Sequence, residues 1–129
     1  MATIFSKIIN GDIPCYKIAE NEHFLAILDI NPLAKGHTLV IPKVEVDYIF
    51  DLSNDDYLGL MVFAKEVAGK IQKAVPCKRI GMAVIGLEVP HAHIHLVPLS
   101  SEGDLNFANS KLKLAKEEFE LIAKNIRGE

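Results

Sequence analysis

The chain has 129 residues, half of them hydrophobic and about a quarter charged, a composition typical of one globular domain with its own core. We therefore expect a single domain over residues 1–129. The net charge of −3 and the isoelectric point of about 5.9 argue against a broad basic surface, so nucleic acid is not an expected partner. Cys15 and Cys77 are too far apart in sequence for a CxxC motif and predict neither a zinc knot nor a disulfide framework.

The N-terminal half is predicted to be mainly β-structure. It starts with a short apolar segment that lacks the basic region of a secretion signal, and charged residues interrupt every later apolar run before it reaches the length of a membrane span. We therefore predict a cytoplasmic protein that does not bind membranes. After a turn at residues 10–12, residues 15–19 and 23–29 flank the polar segment ENE and predict a hairpin, and HTLVIPK predicts a third strand.

The second half of the chain adds helices and two more strands. The segment SNDD predicts a capped helix start, and apolar residues at helical spacing continue this helix to about residue 74, before Pro76. The segment RIGMAVI predicts a strand that leads through the turn GLEVP into a strand that contains the three histidines of the segment EVPHAHIHLVPL. A second apolar stripe predicts a helix from about residue 109. This order predicts an α+β fold in which an antiparallel sheet is combined with a long middle helix and a C-terminal helix.

Three of the five histidines, His91, His93 and His95, occupy alternate positions of the last predicted strand. Successive side chains of a strand point to opposite faces, so the three imidazoles are expected on one face and the intervening apolar residues on the other. Such a cluster indicates a functional site, and two chemical interpretations are open.

A metal site is the first interpretation, because neutral imidazole is a common ligand of zinc. Alternate residues of a strand lie roughly 6.6 Å apart between Cα atoms and residues four positions apart lie about 13 Å apart, so His91 and His95 do not easily share one ion. A third ligand would have to come from elsewhere in the chain, with His23, His37 and Asp29 as the candidates.

Nucleophilic catalysis on phosphorus is the second interpretation. A neutral imidazole is a good nucleophile near physiological pH, and its phosphorus adduct is labile enough to hydrolyse afterwards. His93 is the natural nucleophile, because histidines on both sides of it would donate hydrogen bonds to the non-bridging oxygens of a phosphate.

The segment HAHIHLV resembles the His-x-His-x-His-x-x pattern of the histidine triad family, and the likeness extends over residues 3–99. The N-terminal half, with DINP and GHTLVIPK, is similar to the Hint-like branch of that family. The resemblance implies a nucleotide-binding α+β fold, usually a homodimer, that hydrolyses or transfers nucleoside monophosphates from phosphoramidates, acyl adenylates or dinucleoside polyphosphates. We expect a small-molecule nucleotide substrate, a homodimer and no cofactor.

The resemblance also implies a role for each residue that matches the family pattern. His93 would attack the α-phosphorus and form a nucleotidyl-histidine, with its other ring nitrogen held by the backbone carbonyl of His91. His95 would bind an α-phosphate oxygen, while His37 and the His91 side chain would support the triad and the protonation of the leaving group. Asp29 would accept hydrogen bonds from both ribose hydroxyls, although the sequence alone is also compatible with a turn-initiating Asp. The base would be held by apolar residues, namely Ile4, Phe5, Ile8, Ile27 and Ile30.

Two departures from the family pattern modify these expectations. Many relatives have cysteines at the positions of Thr3 and Ser6 and bind zinc with them, so we expect no metal here. The loop before the triad is shortened and has Ile85 and Leu87 in place of an Asn and a Gln, so several phosphate and leaving-group contacts are missing or come from elsewhere. Glu88, three residues before the first histidine of the triad, would favour a cationic amine as the leaving group.

The sequence therefore predicts a metal-independent nucleotidyl hydrolase or transferase that uses His93 for covalent catalysis, with AMP or another purine nucleotide as the transferred group. The alternative is a nucleotide-binding module with little or no turnover, because the shortened loop would have removed activity. A metal-binding protein is the third interpretation.

Overall fold

The computed structural model describes residues 3–129. Its helices and strands are, in chain order, α1 (Ile4–Ile9), β1 (Lys17–Glu20), β2 (Phe24–Leu28), β3 (Thr38–Pro42), α2 (Asn54–Ala74), β4 (Arg79–Ala83), β5 (Ile94–Leu99) and α3 (Lys116–Arg127). Single 3-10 turns at Ile49–Asp51 and Glu102–Asp104 lie in the connections. Within residues 3–129, every helix is too short or too polar to cross a membrane.

One antiparallel sheet of five strands, in the order β1-β2-β3-β5-β4, forms the centre of the fold. The first three strands are hairpin neighbours along the chain, and α2 carries the chain across the sheet to β4 at the opposite edge. His95 is paired with Leu39 of β3 on one side and with Ala83 of β4 on the other. The predicted α+β fold with an antiparallel sheet is confirmed, and its register places the triad segment beside the middle of the sheet.

The two faces of the sheet have different partners. On one face, α2 and α3 cover a large core that includes Ala92, Ile94 and Leu96. On the other face, a smaller apolar cluster contains Phe5 of α1 together with Leu25 and other residues of β2 and β3. The alternation expected for the histidine segment is therefore present, because its apolar residues belong to the helix-covered core and its histidines do not.

Helix α2 follows its sequence signals closely. The Ser53 side chain accepts a hydrogen bond from the backbone N–H of Asp56 at 3.1 Å. Acidic residues in the first turn interact favourably with the positive end of the helix dipole. Buried residues recur at spacings of three and four, which gives the helix one face against the sheet. The helix ends at Ala74, two residues before Pro76, because proline cannot continue the backbone hydrogen bonds.

The structure differs from the sequence prediction mainly at the N-terminus, at the start of β5 and at the start of α3. The apolar N-terminal segment forms a helix, capped by the Thr3 side chain, which accepts from the Ser6 backbone N–H at 3.0 Å. Strand β5 begins at Ile94 and not before the first histidine, because Pro90 lacks an N–H and the His91 N–H is used in a local turn. Helix α3 begins at Lys116 and not near residue 109, so residues 105–115 form an irregular connection that includes a turn at residues 107–108.

Candidate active site

A cavity of about 500 Å³ opens on the α1 face of the sheet. It brings together three of the four predicted catalytic histidines and all seven predicted substrate-binding residues, namely His37, His93, His95, Asp29, Ile30, Ile4, Phe5, Ile8, Ile27 and Glu88. His91 is completely buried and does not line the cavity. The predicted residues thus converge from α1, β2, the loop between β2 and β3, the loop between β4 and β5, and the triad segment.

His93 has its two ring nitrogens in different environments. Nδ1 lies 2.8 Å from the backbone carbonyl of His91, and a carbonyl only accepts, so we assign the proton to Nδ1 and a lone pair to Nε2. Burial lowers the pKa of His93, which keeps the ring neutral at physiological pH. The Phe5 ring packs edge-on against it with centroids 4.9 Å apart. Because His93 lines the cavity and its Nδ1 is already hydrogen-bonded, Nε2 is the ring nitrogen available as a nucleophile.

His37 and His95 form a directional pair. The backbone N–H of Leu33 donates to His37 Nδ1 at 3.0 Å, so the His37 proton lies on Nε2. That N–H donates to Nδ1 of His95 at 3.0 Å, which assigns the His95 proton to Nε2. Burial lowers the pKa of His37 to about 3 and that of His95 to about 4. Both rings are neutral at pH 7, and His95 presents a fixed N–H donor.

His91 is held from both sides. Its Nε2–H donates to the Pro42 carbonyl at 2.8 Å, and its Nδ1 lies 2.9 Å from the Thr3 hydroxyl oxygen. Glu45 completes the network by accepting hydrogen bonds from the Thr3 backbone N–H and the Ser6 hydroxyl. With both ring nitrogens occupied outside the cavity, the His91 side chain positions its own backbone carbonyl, the group that holds His93.

The residues at two candidate metal positions do not fit a metal ion. Thr3 and Ser6 offer hydroxyl groups, which are much poorer zinc ligands than thiolates, and both hydroxyls are already hydrogen-bonded. The ligand atoms of Asp29, His37 and His95 do lie within 4.8 Å of one another. A metal on His37 Nε2 would move the proton to Nδ1, where it would face the N–H of Leu33, a contact between two donors.

Asp29 forms the turn that the sequence allowed and also lines the cavity. Its Oδ1 accepts from the Asn31 backbone N–H at 2.8 Å, which is the hydrogen bond of an Asx turn. Its Oδ2 lies 3.5 Å from His37 Nε2, and the side chain also lines the cavity. Burial raises the pKa of this carboxyl group. The turn therefore orients a carboxylate that keeps acceptor capacity for a ligand.

The wall of the cavity next to α1 is apolar. Ile8 and Ile27 line it from the helix and from β2, while Ile4 and Ile30 are 48% and 63% exposed. Large apolar side chains that remain exposed beside a cavity are typical of a binding surface for a flat, poorly hydrated group. These residues form a surface suited to one face of an aromatic ring.

The loop between β4 and β5 contributes apolar side chains and one acidic side chain to the cavity. Ile85 and Leu87 line the cavity and are 45% and 88% exposed, and Gly86 adopts φ +72° at the turn between them. Glu88 also lines the cavity and is exposed. This loop therefore offers apolar side chains and one carboxylate, and neither is a donor for phosphate oxygens.

Phe107 and Lys111 also line the cavity, and the sequence analysis missed both. Phe107 lies in the polar segment that was predicted to precede the last helix, and Lys111 lies in the predicted first turn of that helix, so neither residue was expected at the triad. Their position depends on the long-range hydrogen bond from the Leu112 N–H to the Pro32 carbonyl, for which the sequence contains no local signal.

Comparisons with known proteins agree with this geometry. The family model described as "HIT domain" matches residues 10–102. Adenosine 5'-monophosphoramidase from Schizosaccharomyces pombe is 36% identical over 107 residues, which cover 79% of this chain and 77% of the relative. A protein from Sulfolobus tokodaii described as a hypothetical histidine triad nucleotide-binding protein has a solved structure that is 30% identical, with a TM-score of 0.82 and coverage of 96% of this chain and 89% of that one.

A zinc-bound histidine triad family protein from Mycobacterium smegmatis is also similar, at 28% identity and a TM-score of 0.82 over 99% of this chain and 95% of that one. The sequence match, the sheet topology and the arrangement of the three histidines all point to the same family. The chain belongs to the HIT domain family.

Proposed function

We propose that this protein is a nucleoside phosphoramidase-like hydrolase that releases a nucleoside monophosphate through a covalent nucleotidyl-His93 intermediate. The observation that carries the proposal is the state of His93, a neutral imidazole that lines the cavity and whose Nδ1 proton is held by a carbonyl, which leaves the Nε2 lone pair for a ligand. The apolar wall and the Asp29 carboxylate support a nucleoside as the bound group.

In the first step, His93 Nε2 attacks the α-phosphorus and forms a P–N bond, while the bond from phosphorus to the leaving group breaks. The leaving amine departs with the electron pair of that bond and takes a proton from solvent. The fixed N–H of His95 donates to a non-bridging oxygen, where negative charge accumulates in the transition state. The His91 carbonyl stabilises the positive charge that develops on the His93 ring.

In the second step, water attacks the same phosphorus and breaks the bond to His93. The water loses one proton to solvent, which balances the proton taken by the amine, and His93 returns to its neutral form. His37 and His95 do not take up the proton that the water releases, because burial lowers their pKa values and keeps both rings neutral.

Two further observations support the identity of the base and of the leaving group. The similarity to a relative named adenosine 5'-monophosphoramidase supports AMP as the transferred group. Glu88 at the edge of the cavity supports an amine leaving group that carries positive charge. A nucleotide-binding module with little turnover is the second candidate, and the specific observation that favours it is the loop with Ile85 and Leu87 beside the triad.

We also propose that the protein forms a homodimer through the β4 edge of its sheet. β4 has a strand partner on one side only, and apolar side chains beside it are exposed, including Met82 at 47%, Val84 at 41% and Phe50 at 66%. A second copy would cover this surface. Localisation in the cytoplasm stays a prediction.

The experiment that tests the function compares the wild type with His93→Ala and with the matched control His23→Ala, which changes an exposed histidine outside the cavity. Each protein is incubated with adenosine 5'-phosphoramidate in the presence of a metal chelator, and AMP release is measured together with the intact protein mass. We expect turnover and a transient adduct of one AMP in the wild type and the control. His93→Ala should bind AMP without either product.

Three results would contradict the proposal in different ways. Turnover that survives in His93→Ala would exclude the covalent mechanism. AMP binding without turnover in the wild type would support the binding module instead. Activity that disappears in chelator and returns with zinc would favour a metal enzyme.

A further inference from the structure

The connection between β5 and α3 passes beside the cavity and is firmly attached there. The Leu112 N–H donates to the Pro32 carbonyl at 2.8 Å, close to the turn that holds Asp29. Within the connection, the Asn109 side-chain amide donates to the Gly103 carbonyl at 2.7 Å. These bonds fix a segment that has no regular secondary structure, so its side chains contribute to the site in a defined position.

Two side chains of this connection, those of Phe107 and Lys111, line the cavity. The Phe107 ring packs edge-on against His95, with centroids 4.7 Å apart, and also against His37 at 6.1 Å. The Lys111 ammonium donates to the Phe107 carbonyl at 2.5 Å and to the Asn109 carbonyl at 3.0 Å. An ammonium group has three donors, so one N–H of Lys111 remains for a ligand.

The charges of the cavity give Lys111 a special position. Among the lining residues that the structure describes, it is the only Lys or Arg, and the lining carboxylates are Asp29 and Glu88. His37 and His95 do not supply positive charge at neutral pH, because burial holds their pKa values at about 3 and about 4. A phosphate in this cavity therefore meets one permanent cation.

We propose that Lys111 binds the α-phosphate of the nucleoside monophosphate and supplies the contact that the loop with Ile85 and Leu87 does not provide. This inference rests on the proposed function and adds a phosphate-binding residue from a part of the chain outside the triad and the N-terminal half. The two carbonyls hold the ammonium in place before the ligand arrives, which lowers the entropic cost of the contact. Glu88, on the loop between β4 and β5, remains the group for the leaving amine.

Calorimetry with AMP and with adenosine separates this role from a structural one, because the two ligands differ only in the phosphate. The proteins are the wild type, Lys111→Gln, Lys111→Arg and the matched control Lys113→Gln, which removes an exposed charge that does not line the cavity. We expect Lys111→Gln to lower AMP affinity roughly tenfold and to leave adenosine affinity unchanged. The loss should shrink at high salt, and Lys111→Arg should retain most of the affinity.

The outcomes are distinguishable. Equal AMP affinity in the wild type and Lys111→Gln would overturn the inference while leaving the proposed function intact. Equal losses for AMP and adenosine in Lys111→Gln would show that Lys111 only holds the connection in place, and would also overturn it. A wild-type protein that binds neither ligand would refute the proposed function and the inference together.

Discussion

Acidification from pH 7 to pH 5 is expected to destabilise the fold, because His37 and His95 are buried as neutral rings. In the unfolded chain each would bind a proton near pH 6.5, whereas in the folded protein their pKa values are about 3 and about 4. Between about pH 4 and pH 6.5 the unfolded state therefore binds more protons than the folded state. The free energy of unfolding therefore falls as the pH falls from 6.5 toward 4.

The magnitude follows from the same pKa values. Between pH 7 and pH 5 each ring contributes nearly 2 kcal/mol by linkage, so the pair contributes on the order of 3–4 kcal/mol. His93 acts with the same sign, because burial lowers its pKa too. Asp29 acts in the opposite direction, because its pKa is raised by burial and the folded state takes up its proton first. We therefore expect a net loss of roughly 3 kcal/mol.

Urea unfolding at pH 7, 6 and 5 measures this loss. The wild type is compared with His95→Asn, which removes one of the buried rings, and with His23→Asn, which removes an exposed one. In His95→Asn the free energy of unfolding should depend less steeply on pH than in the wild type. The slopes should differ by roughly one bound proton, or about 1.4 kcal/mol per pH unit near pH 5, while His23→Asn should follow the wild type. A wild-type stability that is constant from pH 7 to pH 5 would refute the assignment of neutral rings.

Three further predictions concern single side chains of the site. Asp29→Asn should lower the affinity for AMP at least tenfold and the affinity for 2′-deoxy-AMP much less, because a charged acceptor for the ribose hydroxyls is lost. Calorimetry that shows equal losses of affinity for the two nucleotides would assign Asp29 to the turn alone. Thr3→Val should lower the free energy of unfolding by about 1–3 kcal/mol, because it leaves the buried Nδ1 of His91 without its partner. Thr3→Ser keeps the hydroxyl and should lower it less. A denaturation midpoint that is the same for Thr3→Val and Thr3→Ser would contradict this. Glu88→Gln should reduce kcat/KM for a lysyl phosphoramidate of AMP more than for one with an uncharged amine, and steady-state kinetics with equal effects on both would exclude a role in leaving-group recognition.

The parts of the fold that could be predicted are those with local and redundant signals. Helix α2 has a capping serine, a long apolar stripe and a proline after its end, and its predicted and observed limits agree. The alternation of histidines and apolar residues was sufficient to assign the two faces of the triad segment, because the apolar side chains had to face the helix-covered core. The resemblance to a known family then placed Asp29 and His37 near the triad, which periodicity alone would not have done.

The remaining parts depend on contacts that are distant in sequence. Helix α1 spans only six residues, too few for a periodic pattern, and it is stabilised by its cap and by the packing of Phe5 against His93. The apolar stripe of the last helix extends back to Leu112, but the N–H of Leu112 pairs with Pro32, eighty residues earlier in the chain. Together with the hydrogen bonds within residues 103–111, this long-range bond fixes the connection that carries Lys111 to the cavity, and the sequence near Lys111 contains no signal for it.

The pairing of His37 with His95 also limits the route by which protons can move. Every N–H in this chain of contacts points from the backbone of Leu33 toward the cavity. A ring that gave its proton to a substrate would have to be resupplied from behind, and the last donor is a backbone amide, which does not release its proton at physiological pH. The pair is therefore a dead end for proton conduction, and protons must enter and leave through the open mouth of the cavity.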